Sequence, residues 1–591
     1  MKKIFLIAIV CGLAMLVNAV PAYRGWQTYT QADGSTIEVQ LLGDEFYHYM
    51  VNRDGKEVRE RENGMFEVVG NAPTAQQVRA RRAQGQARRQ RKDVGLKPNL
   101  APKGIVILVN FADTAMQAEH THEVFDELCN SDSCTVNKNR GIDYPSAAEY
   151  FASQSNGQYH PQFDVFGPVT LSREYAFYGQ NDPDNYDNDK YATDAVIEAC
   201  LLANRQFPEL NFADYDSDED GFVDFVYVMY AGKGEANGGD KNTIWPHNWE
   251  IIYHVYPFNE QGRYDPIFGT RASCCYTEDS IMIDSVMLNN YAMSAELDGR
   301  GRLGGIGTLC HEFGHVMGLP DFYDTEYGVN YKNSLTPNEW NVMDGGSYNG
   351  GGHCPPNYDP WEKYFMGWMT PQNLGNNARW LRLKPNGTEG YKAYQINTSG
   401  KQQGPTDEGL CYFIENRQQH GWDTYVPDSG MVIWKVDFDA MAWMMNSPNN
   451  TAYKPRYTLV IPSGTQIGYG TGGQNVWPYA HKDSWGGVSG KPLLKITRDG
   501  NDITLFSVEE VTNYQVQWIV DGEVISSREY ALDGSEDIEM PSAPDNCEGA
   551  TFIGWTEHGD WCSPFYQPDD LFTEISGKVE SVATYYAVFE E

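Results

Sequence analysis

The segment of this 591-residue chain that says most about its fold and chemistry is GTLCHEFGHVMGLPDFYD, which covers residues 307–324. Because residues four apart lie on one face of a helix, His311 and His315 can present two imidazoles to a single zinc ion. Glu312 stands beside the first imidazole, where its carboxylate reaches a water molecule on the metal without being a ligand. The segment therefore predicts a helix that carries two zinc ligands and a general base.

The third ligand is expected beyond the end of that helix. Gly318 is a natural helix stop, because glycine adopts the left-handed backbone conformation of a helix C-terminus without strain. The chain can then fold back and bring Asp321 to the same ion. Asp324 and Glu339 compete for this role, and the spacing from Gly318 favours Asp321. Three protein ligands with one position left to water are typical of a catalytic zinc site, in which Glu312 would take the proton of the attacking water.

The zinc segment resembles a known clan of proteases. HEFGHVMGLPD (311–321) looks like the extended metzincin motif, with Asp321 where most members have a third histidine. EWNVMDGGSYNG (339–350) is similar to the Met-turn of that clan, and Met343 would form the hydrophobic floor under the metal. The resemblance also implies a tyrosine as a second oxyanion donor. The nearest is Tyr348, which lies further beyond the methionine than is usual.

A narrower resemblance covers roughly residues 100–510. The Asp321 variant of the motif and three other segments are similar to the immune inhibitor A-type secreted bacterial metalloproteases; the segments are IWPHNWE (244–250), CYFIENRQQHGWD (411–423) and SGMVIWKVDF (429–438). This resemblance implies a zinc endopeptidase that hydrolyses peptide bonds of proteins or peptides. His247, in the first of these segments, is considered as a cleft residue, although a core or cleft-wall histidine is the more common case.

The N-terminus predicts export. Lys2 and Lys3 precede an apolar run, Ile4 to Val17, and Ala19 stands where signal peptidase cuts, so residues 1–19 read as a secretory signal peptide. About 14 apolar residues are too few to span a bilayer. We therefore expect a secreted chain without a transmembrane anchor, outside the cell or at the cell surface of a bacterium.

Residues 20–100 are expected to form a propeptide. Residues 20–78 alternate apolar and polar side chains around turns, and GDEFYH (43–48) looks like the propeptide of the immune inhibitor A-type family. Residues 79–92, RARRAQGQARRQRK, carry seven basic side chains and no acid. Such a block is solvated and flexible, so it is either a plain linker or a linker cut by a protease during zymogen activation, and the two are compatible.

The remainder divides into three parts. In residues 101–375, the expected catalytic domain, apolar strands (GIVILVNF from Gly104, FVDFVYVMYAG over 222–232) interleave with helical patterns around Ala147–Ser153 and Tyr191–Asn204. Residues 376–510 are a run of short alternating segments that predict a β-rich domain. The fold class expected is α+β, a metzincin-like zinc protease domain followed by all-β domains.

Residues 511–591 predict a small C-terminal β module. ATFIGWTEHGD (550–560) and ATYYAVF (583–589) are similar to the internalin B-repeat modules of bacterial surface proteins. That resemblance implies a surface or host-protein contact through this module.

A calcium loop is predicted within DYDSDEDGFVD, residues 214–224. Its candidate ligands occupy positions 1, 3, 5, 7 and 9 of an EF-hand-like loop; they are Asp216, Asp218, Asp220, the Phe222 carbonyl and Asp224. Position 12 is Tyr227, so the bidentate glutamate of an EF-hand is missing. The alternative is an exposed acidic turn, but four close carboxylates repel one another unless a cation or solvent screens them.

The composition narrows the classes of partner. The chain has 44 Lys and Arg against 81 Asp and Glu, a formal net charge of −37. This balance argues against nucleic acid or an anionic membrane as the main partner, because phosphate binding needs clustered Lys and Arg. A surface adhesin or binding protein with an inactive protease domain is the alternative function. The presence of Glu312 and of all three candidate ligands disfavours it.

Overall fold

The structure is a computed structural model of the full chain. It describes residues 26–31, 33–44, 47–61, 65–74, 77–78, 103–132, 146–182, 188–217, 219–251, 276–277, 280–325, 335–374, 379–451, 454–462, 466–468, 474–480, 482–487, 491–507, 513–520, 523–531, 538–542, 544, 551–556 and 583–590. The signal peptide predicted over 1–19, the basic linker predicted over 79–92 and the candidate ligand Asp218 lie outside these ranges.

Strands and helices are both present among the described residues, in the α+β arrangement that the sequence predicts. The strands are β1 (Gln27–Thr30), β2 (Thr36–Asp44), β3 (Tyr47–Asn52), β4 (Lys56–Glu60), β5 (Phe66–Asn71), β6 (Gly104–Asn110), β7 (Phe163–Thr170), β8 (Asn181–Asp182), β9 (Asn188–Asp189), β10 (Val226–Lys233), β11 (His247–Glu250), β12 (Tyr276–Thr277), β13 (Ser280–Ile283), β14 (Val286–Leu288), β15 (Asn290–Leu297), β16 (Gln372–Asn373), β17 (Arg379–Leu383), β18 (Tyr394–Asn397), β19 (Gly409–Arg417), β20 (Gly430–Phe438), β21 (Tyr457–Leu459), β22 (Leu493–Asp499), β23 (Asp502–Ser507), β24 (Asn513–Val520), β25 (Glu523–Ala531), β26 (Thr551–Thr556) and β27 (Ala583–Glu590). The α-helices are α1 (His122–Asn130), α2 (Ala147–Gln154), α3 (Tyr175–Tyr178), α4 (Ala192–Gln206), α5 (Gly307–Val316), α6 (Pro360–Phe365) and α7 (Ala440–Met444).

The N-terminal unit is a five-stranded antiparallel meander in the order β1-β2-β3-β4-β5. Two of its turns contain Gly34 and Gly55, whose φ values of 84° and 68° are in the left-handed region. Glycine reaches that region without strain, which is why Asp-Gly pairs predict tight turns at these points.

A five-stranded sheet in the order β11-β15-β10-β6-β7 forms the centre of the segment that holds the zinc motif. Its strands are parallel except β11, which pairs antiparallel with β15 at one edge. Strand β6 is buried on both faces: Val106 and Leu108 face one core, and Ile105 and Ile107 face another. This two-sided burial explains the uninterrupted apolar run in its sequence.

Strand β10 begins four residues later than the pattern over 222–232 predicts. Phe222 belongs to the end of the acidic loop and forms an isolated bridge to Met287. Helix α5 packs on the first face of the sheet, where Phe313 contacts the rings of Phe163 and Phe225.

The core beneath α5 continues beyond residue 375. A second sheet, in the order β16-β18-β19-β20-β21, contributes Phe413, Trp434 and Tyr457 to the same buried cluster as Phe313. The described core is thus continuous across the boundary predicted at 375–376, and the division of the chain into domains stays a prediction.

The last two sheets are small. One has the order β17-β23-β22, and the other, β25-β24-β27-β26, contains a parallel pair of β24 and β27. The latter has its own core around Trp518 and Trp555. Its likeness to an internalin B-repeat stays a prediction. Over the described part of the chain, no helix combines the length and the apolar character that crossing a membrane requires.

Candidate metal centre

The two histidines of the motif converge as the helical spacing predicts. His311 and His315 lie one turn apart on α5, and their Nε2 atoms are 3.1 Å from each other. Both imidazoles are buried, with side-chain exposures of 0% and 2%. Two ring nitrogens at this distance, away from solvent, form one side of a metal-binding site.

Asp321 completes a triangle with these nitrogens. Its Oδ1 atom is 3.2 Å from Nε2 of His311 and 3.3 Å from Nε2 of His315. Tetrahedral zinc, with bonds of about 2.0–2.1 Å to such ligands, separates neighbouring ligand atoms by about 3.3 Å. The three side chains therefore fit three corners of a tetrahedron, and the fourth corner is left for another group.

The protonation states of the imidazoles support the same reading. Nδ1 of His311 donates to the carbonyl oxygen of Val342 at 2.8 Å, and Nδ1 of His315 donates to that of Leu319 at 2.7 Å. Because a carbonyl oxygen only accepts, each Nδ1 carries a proton, and in the neutral form of each ring the lone pair of Nε2 faces the triangle. Two nitrogen lone pairs and a carboxylate oxygen that face one point are a donor set that suits a divalent cation.

Burial and mutual charge act together on these groups. Burial lowers the pKa of His311, but the contact with Asp321 and the charge of Glu312 outweigh it, so that this pKa ends raised. The pKa of His315 ends lowered, because burial outweighs the attraction of Asp321. Burial raises the pKa of Asp321, yet the two imidazoles hold it well below its usual range, so the carboxylate stays ionised.

Glu312 lies beside the triangle and is wholly buried. One of its carboxylate oxygens and one ring nitrogen of each histidine all lie within 4.8 Å of one another. The contacts of the two imidazoles with Asp321, at 3.2 and 3.3 Å, agree with Asp321 as the third ligand and Glu312 beside it, and this assignment stays a prediction.

Met343 lies directly under the helix, as the resemblance implies. It is fully buried, and a Cβ atom added to Gly314 would be 2.6 Å from its sulfur. The backbone N–H of Phe322 donates to the carbonyl of Met343 at 2.9 Å. Gly314 is a residue that sequence reasoning missed, although a glycine inside a helix costs about 1 kcal/mol relative to alanine and so signals a close contact.

The end of the helix follows the prediction. Helix α5 stops at Val316, and Gly318 has a φ of 99°. The N–H of Leu319 then donates to the carbonyl of Gly314 at 3.0 Å, which turns the chain back toward the metal-binding face.

A second missed residue, Asn446, belongs to a distant part of the chain. Its side-chain oxygen accepts from the N–H of Asp321 at 2.6 Å, and its Nδ2 donates to Oδ2 of Asp321 at the same distance. The two residues are 125 positions apart. No local pattern around Asn446 could have indicated this contact.

The structure also describes the two competing candidates for the third ligand. The carboxylate of Glu339 is close to Gly468, and Asp324 is buried in the segment after Asp321. Tyr348 lies in a 3-10 turn over 345–352 that packs on the start of α5, and its role as an oxyanion donor stays a prediction.

His247 is the buried core histidine of the alternative interpretation. Its Nδ1 donates to the carbonyl of Trp245 at 2.6 Å, and its Nε2 is 3.1 Å from the hydroxyl of Tyr291.

The acidic loop over 214–224 is closed by its own backbone. The Asp216 carboxylate accepts from the N–H groups of Asp220 at 3.0 Å and Gly221 at 2.9 Å, and Oδ1 of Asp220 accepts from the N–H of Phe222 at 2.9 Å. Gly221 has a φ of 87°, which the turn requires. These amides partly offset the repulsion between the carboxylates.

The remaining candidate calcium ligands in the loop are Asp224 and Asp218. Oδ2 of Asp224 accepts from the N–H of Ser217 at 3.1 Å. Within the described part of this loop, no three carboxylates come within 4.8 Å of one another. Asp218, the remaining candidate ligand, is outside the described residues, so the calcium site stays a prediction.

The N-terminal unit packs against the segment that follows the candidate metal ligands. Tyr49, Val51 and Val78 share a small core with Tyr323, two residues beyond Asp321. His48 stacks on Trp245 with a centroid distance of 4.6 Å, and its Nε2 is 3.4 Å from Oε1 of Glu235.

Comparison with known proteins relates part of this chain to a family of peptidases. Residues 101–378 match the immune inhibitor A peptidase M6 catalytic domain. The chain is 29% identical over 335 residues to "Pre-pro-metalloprotease PrtV" of Vibrio cholerae serotype O1, covering 50% of this chain and 33% of that protein. It is 28% identical over 237 residues to "Immune inhibitor A" of Bacillus thuringiensis subsp. alesti, covering 37% of this chain and 31% of that protein. The chain thus spans about a third of the length of the curated relatives it matches.

Proposed function

We propose, from the premise that residues 101–378 are a peptidase M6 catalytic domain of the immune inhibitor A type, that this protein is a secreted zinc-dependent endopeptidase made as a zymogen. Its substrates would be extracellular proteins and peptides. The observation that carries the proposal is the triangle of two Nε2 atoms and one carboxylate oxygen, with sides of 3.1, 3.2 and 3.3 Å. The carboxylate of Glu312 lies beside this triangle.

The proposed chemistry assigns a role to each side chain. A bound zinc ion would supply Lewis-acid chemistry, which activates a water molecule and polarises a peptide carbonyl. Glu312 would take the proton of the attacking water and deliver it to the leaving amine. His311, His315 and Asp321 would hold the ion, and the carbonyls of Val342 and Leu319 would fix the tautomer of the two rings.

The arrangement favours a metzincin-like site. The Met343 side chain under α5 and the turn at Gly318 both match what that resemblance implies. The site keeps Glu312 and all three candidate ligands, which supports an active enzyme over the alternative of an adhesin with an inactive protease domain. Surface or host-protein contact through the C-terminal module remains compatible with either.

Latency is supported by the packing of the N-terminal unit. The contact of Tyr49 and Val51 with Tyr323 places this unit against the chain next to Asp321, and removal of the unit would expose that segment. His48 contacts Trp245 and Glu235 in this arrangement. N-terminal sequencing of the active enzyme should find a start between about residues 79 and 104. A fully active enzyme that begins at Val20 would contradict the zymogen proposal.

A calcium ion bound to the acidic loop would stabilise the catalytic domain outside the cell. If Asp216, Asp220 and Asp224 bind it together with Asp218 and the Phe222 carbonyl, a calcium-selective chelator should lower the melting temperature. Asp216→Asn should remove this response, whereas an identical response in the variant would count against the site.

The deciding experiment compares zinc content and proteolysis in wild type, Glu312→Ala and His315→Ala. Wild type should bind one zinc ion per chain and cleave casein or gelatin. Glu312→Ala should keep the zinc and lose about 10²–10⁴-fold in rate, because only the proton carrier is removed. His315→Ala should lose both. Full activity in Glu312→Ala, or absence of stoichiometric zinc in purified wild type, would overturn the proposal.

A further inference from the structure

The third metal ligand differs from the other two in how it is held. His311 and His315 are fixed by a helix, whereas Asp321 lies on a non-helical segment after Gly318. A ligand on such a segment needs partners that fix both its backbone and its carboxylate.

We infer that Asn446 is a positioning residue for Asp321, so that the metal site is completed by a segment outside residues 101–378. This inference rests on the proposed function, because it assumes that the triangle binds a metal ion. It concerns the orientation of a ligand and assigns Asn446 no contact with substrate.

The two contacts form a closed ring between the residues. Asp321 donates its N–H to Oδ1 of Asn446, and Asn446 donates Nδ2–H to Oδ2 of Asp321, both at 2.6 Å. This bond occupies Oδ2 and turns Oδ1 toward the two imidazoles. Both residues are buried, Asp321 at 0% and Asn446 at 3% exposure, so water does not compete for these bonds.

An asparagine suits this position for two reasons. An amide side chain offers one acceptor and one donor side by side, as the N–H and the carboxylate of Asp321 require. The backbone of Asn446 also has a φ of 48°, in the left-handed region that asparagine tolerates better than most residues.

The neighbours of Asn446 extend the contact along the chain. Asn449 donates Nδ2–H to the carbonyl of Phe322 at 2.6 Å. The side-chain oxygen of Asn450 accepts from the N–H of Thr325 at 3.0 Å, and its Nδ2 donates to Oγ1 of Thr325 at 2.8 Å. The turn over 446–450 therefore follows the segment over 321–325, with Asn446 bonded to Asp321 and Asn450 bonded to Thr325.

The turn is itself attached to the core. The N–H of Asn446 donates to the carbonyl of Trp443, at the end of α7, at 3.1 Å. Trp443 is buried and contacts the rings of Phe322 and Trp361. The position of Asn446 is thus set by packing of the β-rich region on the metal-binding segment.

The test uses the full chain with Asn446→Gly, Asn446→Asp and the matched control Asn450→Ala. Asn446→Gly removes the side chain without backbone strain. Asn446→Asp keeps the size and one acceptor but places a carboxylate oxygen against Oδ2 of Asp321. Asn450→Ala removes the neighbouring contact to Thr325 and leaves Asp321 untouched.

Zinc affinity is measured by competition with a chelator, and geometry by the visible spectrum of the Co²⁺-substituted protein. Both Asn446 variants should bind zinc about 10–100-fold more weakly and show an altered Co²⁺ spectrum, while Asn450→Ala keeps both values. Circular dichroism of the metal-free proteins should be unchanged.

Three results would overturn the inference. One is zinc affinity and a Co²⁺ spectrum in the Asn446 variants equal to wild type. A second is an equal loss in Asn450→Ala. A third is loss of the fold in the Asn446 variants while Asn450→Ala stays folded, which would make the residue structural. Failure of wild type to bind zinc would instead overturn the proposed function.

Discussion

Arg417 lies wholly inside the protein and holds together two carboxylates and a backbone carbonyl. Its Nε donates to Oδ2 of Asp423 at 2.7 Å, and its Nη2 donates to Oδ1 of the same residue. Nη1 donates to Oε1 of Glu415 at 3.2 Å, and Nη2 also reaches the carbonyl of Asn357 at 3.1 Å. Burial alone would lower the pKa of Arg417. The two carboxylates outweigh this effect and raise the pKa above its usual value, so the guanidinium stays charged.

Arg417→Met keeps most of the volume and removes the charge. Asp423 and Glu415 are both 0% exposed, and they would remain inside the protein without their cation. Breaking a buried ion pair in this way costs about 3–5 kcal/mol. A unit of roughly 250 residues shifts its melting temperature by about 2–4 °C per kcal/mol, so we expect a decrease of about 6–20 °C.

The matched control is Arg456→Met. Arg456 also faces two carboxylates, Asp437 at 3.2 Å and Asp439 at 2.8 Å, but it is 30% exposed. Water can solvate the groups left behind, so this substitution should cost no more than about 1 kcal/mol. Differential scanning calorimetry of the two variants measures the difference. An Arg417→Met transition within about 4 °C of the control would refute the reasoning that burial makes this cluster costly to break.

Two other substitutions test the packing under α5 and a buried carboxyl group at the start of α6. Gly314→Ala gains about 1 kcal/mol of helix propensity, but it places a Cβ 2.6 Å from the Met343 sulfur, and such overpacking costs about 1–3 kcal/mol. Thermal melting should therefore show a net loss of stability of up to about 2 kcal/mol. A clear gain in stability would mean that the contact between Gly314 and Met343 is loose. Burial raises the pKa of Asp359 above its usual value, so the folded state retains a proton on this carboxyl group that the unfolded state has released, and this contribution to stability is lost as the pH rises above the usual pKa of an aspartate. Asp359→Asn imitates the protonated form, so its stability relative to wild type should improve as the pH rises above the usual pKa of an aspartate; a difference independent of pH, measured by urea denaturation, would contradict the assignment.

Several elements could be predicted from sequence because their cause is local. The apolar run GIVILVNF forms β6, and the helical patterns near 147 and 191 form α2 and α4. β10 starts later than predicted because its first apolar residues belong to the acidic loop, and periodicity does not distinguish a strand from an apolar loop end.

Part of the candidate metal centre could also be predicted from sequence, because its cause is local. His311 and His315 meet because a helix repeats every 3.6 residues, and Gly318 ends that helix because glycine adopts a positive φ. Those properties belong to the residues themselves and can be read without a partner segment.

Contacts between distant segments could not be predicted from the local sequence. Asn446 meets Asp321 across 125 residues, and Met343 fits against Gly314 only because two backbones approach closely. Arg417 became a buried cation through the packing of β19 against the segment around Asn357. Local sequence establishes which side chains can bind a metal, since helix geometry and turn preferences act over a few residues. Which distant groups orient those side chains depends on how the sheets pack, because a hydrogen bond or a close contact forms only when packing brings both partners within a few ångströms.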